Sequence, residues 1–162
     1  MEEIFVDKAI GAEDVKSCFK ELFPGLKLFQ WFPWDGDVNP IGFEQGEVAH
    51  TLFDIYFEGK RLEFQWRLSI YGQLEGYRER ERVIAKCLSH KMLTRTLVTY
   101  QLPSEPNDPF YNLVYDNGIC YLADDSMFSW TGESDEPSEP IKIVHPMEML
   151  DVKLDAFGKP VK

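Results

Sequence analysis

Cys87 and His90 stand three residues apart in a stretch of helical periodicity, which puts a thiol and an imidazole on one helix face. Such a pair could supply half of a zinc site, or a thiolate–imidazole nucleophile. The rest of the chain completes neither. Zinc needs two further ligands, and His50, His145, Cys18 and Cys120 form no ligand-like pair. A free cysteine at an inward helical position is most often a small core residue, and His90 near a helix C-terminus complements the helix dipole. Asp35-Gly36-Asp37-Val38-Asn39 opens with the spacing of a calcium loop. Pro40, however, occupies the place of the sharp-turn glycine, and Gly46 the place of the closing glutamate. This segment reads as an Asx-type turn. Asp124 and Asp125 are adjacent, so in extended chain they point to opposite sides and make a poor carboxylate dyad. With no phosphate loop, dinucleotide fingerprint, metalloprotease helix or nucleophile elbow, the chain is expected to carry no catalysis, cofactor or metal of its own.

Charge is the more informative chemistry. The formal charge of −11 is concentrated in two windows. Leu28 to Gly59 holds six acids and no Lys or Arg; the 46 residues between Arg95 and Lys142 hold nine acids and again no base. Between them, Lys60 to Arg95 carries nine bases against four acids. Such blocks set up a directional field that acts on partners and association rates. Both acidic windows also carry large rings outside any periodic pattern, so they read as folded surface and not as acidic tails. These rings either close over a sheet edge or anchor a partner, since Trp and Tyr dominate interface hot spots. The partner-binding candidates are Trp34, Asp35, Asp37 and Glu44 in the first window. In the second they are Asp108, Phe110, Asp124, Asp125, Phe128 and Trp130.

The elements that must position these residues follow from periodicity. Val15, Phe19, Leu22 and Phe23 share one helical face, with Glu13 and Asp14 in the first turn and Pro24-Gly25 as the stop. Leu26 to Phe32 reads as a short strand, and 33–50 as a long connection. Alternation over 51–57 and 61–71, broken at Glu58-Gly59-Lys60, predicts a hairpin that buries Leu62, Phe64, Trp66, Leu68 and Ile70 on one face. A second helix is expected from about Leu74 to Lys91, with Arg78, Arg80, Arg82 and Lys86 as an outward basic stripe laced with glutamates. A strand from Thr94, a hairpin turned by Asn117-Gly118, a mobile acidic loop over about 131–140 and an edge strand at 141–144 follow. Segment 146–158 fits helix or strand. The expected fold is α+β, a single domain over 1–162. It has a mainly antiparallel five- or six-stranded sheet with two or three helices packed on it.

Composition bounds the setting. An acidic chain with 17 bases against 28 acids repels phosphates, so no nucleic-acid partner is expected. No apolar run approaches the length of a membrane helix, the first residues are acidic where a signal peptide is basic, and three cysteines make no disulfide framework. These features together imply a cytoplasmic location and no membrane.

From Arg78 to Asp124 the order is a charged helix ending in a small-residue turn, a strand (TRTLVTY), a Pro/Asp loop with an aromatic (PNDPFYNLVY) and an NG hairpin. This cadence resembles segments of bacterial immunity proteins, the small cytosolic antidotes to polymorphic or contact-dependent toxins. The resemblance implies a single-domain acidic inhibitor that plugs a basic protein partner, commonly a toxin nuclease domain. It implies no catalytic residues. The alternatives are a small enzyme or ligand-binding domain with a pocket formed by the 33–50 loop, and a subunit of a larger assembly that uses the basic helix.

Overall fold

The computed structural model describes residues 1–36, 38–72, 78–128, 130 and 139–161. Asp37, the expected helix start at Leu74 and most of the 131–140 acidic loop lie outside them. In chain order the elements are β1 (Glu2–Val6), α1 (Ala12–Leu22), β2 (Lys27–Gln30), a 3-10 turn (Pro33–Asp35), β3 (His50–Phe57), β4 (Trp66–Tyr71), α2 (Arg78–Met92), β5 (Arg95–Thr99), β6 (Tyr111–Asp116), β7 (Ile119–Asp124) and β8 (Lys142–Pro146). The strands form one eight-stranded sheet in the order β2-β3-β4-β1-β5-β6-β7-β8. Only β2 and β3 pair in parallel. The α+β class therefore holds, and the expected count of five or six strands is corrected to eight.

Two crossovers build this order. β1 runs parallel to β2, and β4 parallel to β5, as the antiparallel pairings between them require. Each parallel pair is joined by a helix, and α1 and α2 pack against each other on one face of the sheet. Beneath them lies the main core, with Ile4, Val6, Phe53, Leu68, Ile70 and Leu113 of the sheet meeting Val15, Phe19, Ile84 and Leu88 of the helices. The Asn117-Gly118 turn forms as its sequence requires, with φ of 49° and 78°.

The opposite face carries a second, smaller core of Phe64, Leu97, Val114, Ala123, Phe128 and Ile141. This overturns the expectation that Phe64 and Trp66 share a face. The chain leaves β geometry after Phe57 and regains it only at Trp66. Leu62 and Phe64 are thus buried from a loop, and Phe64 lies on the side of the sheet away from the helices. A polar clasp holds that loop down. Arg95 bonds Asp7 (Nε–Oδ2 3.0 Å) and Glu63 (Nη1–Oε1 2.7 Å), lies over the Phe64 ring, and Glu63 Oε2 accepts the Ile141 N–H at 2.7 Å.

The basic helix stripe is also corrected. Arg78 and Lys86 are exposed and Arg82 half-exposed, but Arg80 is 1% exposed and ion-paired with Glu2, itself 3% exposed in the central strand. Glu81, on the same buried side, accepts the Glu3 N–H through Oε1 at 3.0 Å. Segment 146–158, expected as helix or strand, is neither beyond Pro146, the last residue of β8: residues 147–161 form an extended strap with one bridge, Leu154 to Pro160. Its Asp155–Gly158 turn closes over Arg80. A Cβ at Gly158 would come within 2.6 Å of Arg80 Cδ, and φ there is 78°, so both space and backbone call for glycine.

Burial pushes Glu81 up to about 7, aided by the nearby Glu2 carboxylate and opposed by the Glu3 N–H bond. A folded-state value above the unfolded one means stability that is full below pH 4.5 and lost as pH rises through 7. Glu81→Gln keeps the acceptor for Glu3 and removes the charge. It should leave stability near pH 4.5 unchanged and raise it at pH 8 by roughly 2–4 kcal/mol in urea unfolding. Parallel pH profiles for the two proteins would refute this assignment.

Candidate functional site

The connection from β2 to β3 is fixed at its two ends and open between them. At one end the Trp31 N–H donates to the Phe53 carbonyl at 2.8 Å, and the Trp31 ring meets Tyr71 edge-on at 5.4 Å. The Tyr71 hydroxyl donates to Asp54 Oδ2 at 2.6 Å, and burial together with that bond lifts the phenol to about 12. At the other end Phe29, Phe43 and His50 stack, with Phe29 4.9 Å from the imidazole, and the Glu44 N–H donates to His50 Nδ1 at 3.0 Å. This aromatic clamp explains why a long, glycine-rich segment keeps one path across the sheet edge.

Between the clamps the loop turns apolar groups outward. Trp34 is 61% exposed and stacks on Phe32, which is itself exposed, while Val38 and Val48 face solvent and Ile41 is 101% exposed. Phe32, Asp35, Val38 and Ile41 surround a hollow of 270 Å³, with Trp31, Pro40 and the polar Gln30 and Asn39 also on its wall. Among the described residues Asp35 is the only charged one on that wall, and it makes no ion pair with any of them. A second hollow of 450 Å³ lies beyond Asn39, bounded by Phe43, Gln45, Leu52 and Tyr71. Sequence reasoning named Trp34, Asp35 and Glu44 here, all exposed, but missed Phe32, Val38 and Ile41. The signal was present: apolar residues in a segment with no period to bury them.

The candidates of the second acidic window separate by role. Asp108 caps the Phe110 N–H at 2.9 Å and leaves that ring exposed; the Ser126 hydroxyl first, and the Ser126 N–H that Asp124 accepts at 2.8 Å, hold the Asp124 carboxyl below the usual range. Asp125 is buried. Its Oδ2 accepts from Asn112 Nδ2 at 2.8 Å and from Trp130 Nε1 at 3.1 Å. Phe128 is 9% exposed and packs edge-on between Phe64 and the Trp130 ring, and Trp130 also meets Phe5. Asp125, Phe128 and Trp130 therefore close the second core; their polar atoms and ring faces are engaged within the chain. The two groups of candidates are not brought together, because β4, β1 and β5 lie between β3 and β6.

Cys87 and His90 both border a groove of 540 Å³ beside the strap, but no group of three or more His, Cys, Asp or Glu among the described residues could hold a metal ion. No helix among the described residues is long and apolar enough to cross a membrane. No protein-family model matches the chain, and neither does any curated protein or solved structure.

The division of roles is measurable by stability alone. Asp125→Ala leaves the buried Asn112 amide and the Trp130 indole N–H without their acceptor and should cost about 2–4 kcal/mol. Trp34→Ala, which removes a largely exposed ring whose contact is the exposed Phe32, should stay within about 0.5 kcal/mol. Urea midpoints that moved equally would contradict the division.

Proposed function

We propose that this protein is an acidic, cytoplasmic inhibitor of the immunity type, which neutralises a basic toxin or effector domain by covering its active surface. The observation that carries this reading is the 270 Å³ hollow among Phe32, Val38 and Ile41 with Asp35 on its wall. It lies in a stretch of 32 residues without Lys or Arg. A mainly apolar hollow beside a carboxylate that has no ion pair among the described residues suits a lysine or arginine side chain, whose aliphatic stem packs while its head meets the acid. The exposed Trp34 and Phe32 rings next to it supply the large, rigid contacts typical of anchor residues. The surrounding acids, Glu44 and Glu47 among them, would draw a basic domain in at an increased rate.

A second reading rests on the neighbouring 450 Å³ hollow, which falls in the size range of small-molecule sites and has polar groups on Asn39, Gln45 and Tyr71. Under it the 33–50 loop covers a ligand pocket. The assembly reading has less behind it, because Arg80 is internal, Lys86 pairs with Asp151 and Arg82 lies over the Tyr100 ring.

Co-expression with the toxin domain encoded beside this gene should restore growth of cells that the domain otherwise kills. In the isolated pair, association should slow with added salt, and Asp35→Lys should slow it further. Trp34→Ala should mainly quicken dissociation, by roughly 10- to 30-fold for a hot spot of about 2 kcal/mol. A neighbouring toxin whose lethality is unchanged, or the lack of any such neighbour, sinks the reading.

A further inference from the structure

Two hydrogen-bonded turns frame the hollow beside Asp35. In the first, the Asp35 N–H donates to the Phe32 carbonyl at 3.0 Å and Pro33 fixes the backbone between them, so the carboxylate stays one turn from the Phe32 ring. In the second, the Phe43 N–H donates to the Pro40 carbonyl at 3.1 Å, with Gly42 at a φ of 86° and the exposed Ile41 beside it. Trp31, held to β3 through the Phe53 carbonyl, adds a second ring to the wall. The side chains of Asp35, Gln30 and Asn39, also on the wall, make no hydrogen bond or ion pair with any described residue. Three polar groups and two rings thus border one mainly apolar space. At 270 Å³ it lies below the roughly 300–1,000 Å³ of small-molecule sites and is on the scale of a single side chain.

We infer that this hollow selects arginine over lysine, and that the residue a basic protein partner inserts there is an arginine; the source of that arginine, a protein partner, rests on the inhibitor reading. Arginine and lysine differ in three respects that this wall reads. A guanidinium is more weakly hydrated than an ammonium, so a mainly apolar wall costs it less. It is flat and stacks on aromatic rings, which Trp31 and Phe32 supply. It also carries five N–H donors in a fixed fork and no acceptor. Two of them suit the Asp35 carboxylate in parallel, and the others suit the amide oxygens of Gln30 and Asn39. An ammonium offers three donors around a point and would leave part of that set unused. No lysine or arginine lies between Leu28 and Gly59, so the loop itself brings no cation to compete for Asp35. Because both turns are already closed, entry of the side chain orders little further backbone.

The test needs only the isolated protein. Isotope-labelled protein is titrated with N-acetyl-arginine methylamide and, in parallel, with the matching lysine and citrulline compounds. Binding is read by NMR at the backbone amides bordering the hollow and at the indole N–H groups of Trp31 and Trp34. Expected is saturable binding of the arginine compound, roughly five- to tenfold tighter than the lysine one, with uncharged citrulline at least about tenfold weaker than arginine. Asp35→Asn, at an exposed position, should weaken arginine binding by about tenfold and leave the remaining amide signals in place. Lysine or citrulline bound as tightly as arginine, free arginine preferred to the capped residue, or shifts spread over both acidic windows without saturation would each overturn the inference. The wild-type comparison decides the matter even if the variant folds poorly. An arginine preference in a protein that rescues no cell removes the inhibitor reading and leaves the hollow's specificity; rescue without the preference does the reverse.

Discussion

The ion pair between Glu2 and Arg80 is the constraint around which the rest is arranged. It places a carboxylate in the middle strand of an eight-stranded sheet and a guanidinium on the inner side of α2, both nearly without exposure. Burying two charges is costly unless they meet each other, and removing either would leave the other stranded. The pair therefore fixes α2 against β1 more narrowly than apolar packing would. Its surroundings are shaped to it: Glu81 is drawn in beside it, and Gly158 lets the strap close over the Arg80 stem. The Glu2 Oε2 atom is buried with no hydrogen-bond partner among the described residues, and burial outweighs Arg80 in raising that carboxyl.

The same pair explains what the sequence concealed. In β1 the inward positions are Glu2, Ile4 and Val6, so the alternation that marks a half-buried strand begins with a charge and the strand does not announce itself. Arg80, read by spacing alone, joins a stripe of exposed bases that it does not belong to. Elements whose patterns obey simple periods were legible: α1, the Asn-Gly hairpin and the edge strand β8. The 62–70 alternation misled because parity is preserved across a break. A loop can bury Leu62 and Phe64 at even positions as well as a strand can, but on a face that periodicity cannot specify.

Of the candidate surface, the sequence made visible that large rings sat where no period could bury them, but not which would be buried anyway. Trp34 and Phe110 stay outside; Phe128 and Trp130 fold under, because Asp125 offers an internal acceptor to the indole and Asn112. The two acidic windows thus differ in kind. In the first, acids and apolar groups stand exposed around a hollow; in the second, one acid is spent on closing a core that helices do not cover. A residue count treats these carboxylates alike, whereas their hydrogen bonds separate them.

The position of β1 has a consequence for how the chain is made. Both of its sheet neighbours, β4 and β5, come later in the sequence, and so does its ion-pair partner. On a ribosome adding ~5–20 residues per second, residues 2–6 precede residue 97 by roughly 5–20 s. β4, the partner of β1 along its whole length, follows after roughly 3–13 s and Arg80 shortly after it; until then Ile4 and Val6 have no strand to pair with, and Glu2 no arginine. The nascent chain must hold its future centre strand in solution until β4 has emerged, and its second side until β5 follows. Pairing of this kind joins distant segments, the slow, high-separation kind of folding in which early encounters with chaperones matter most.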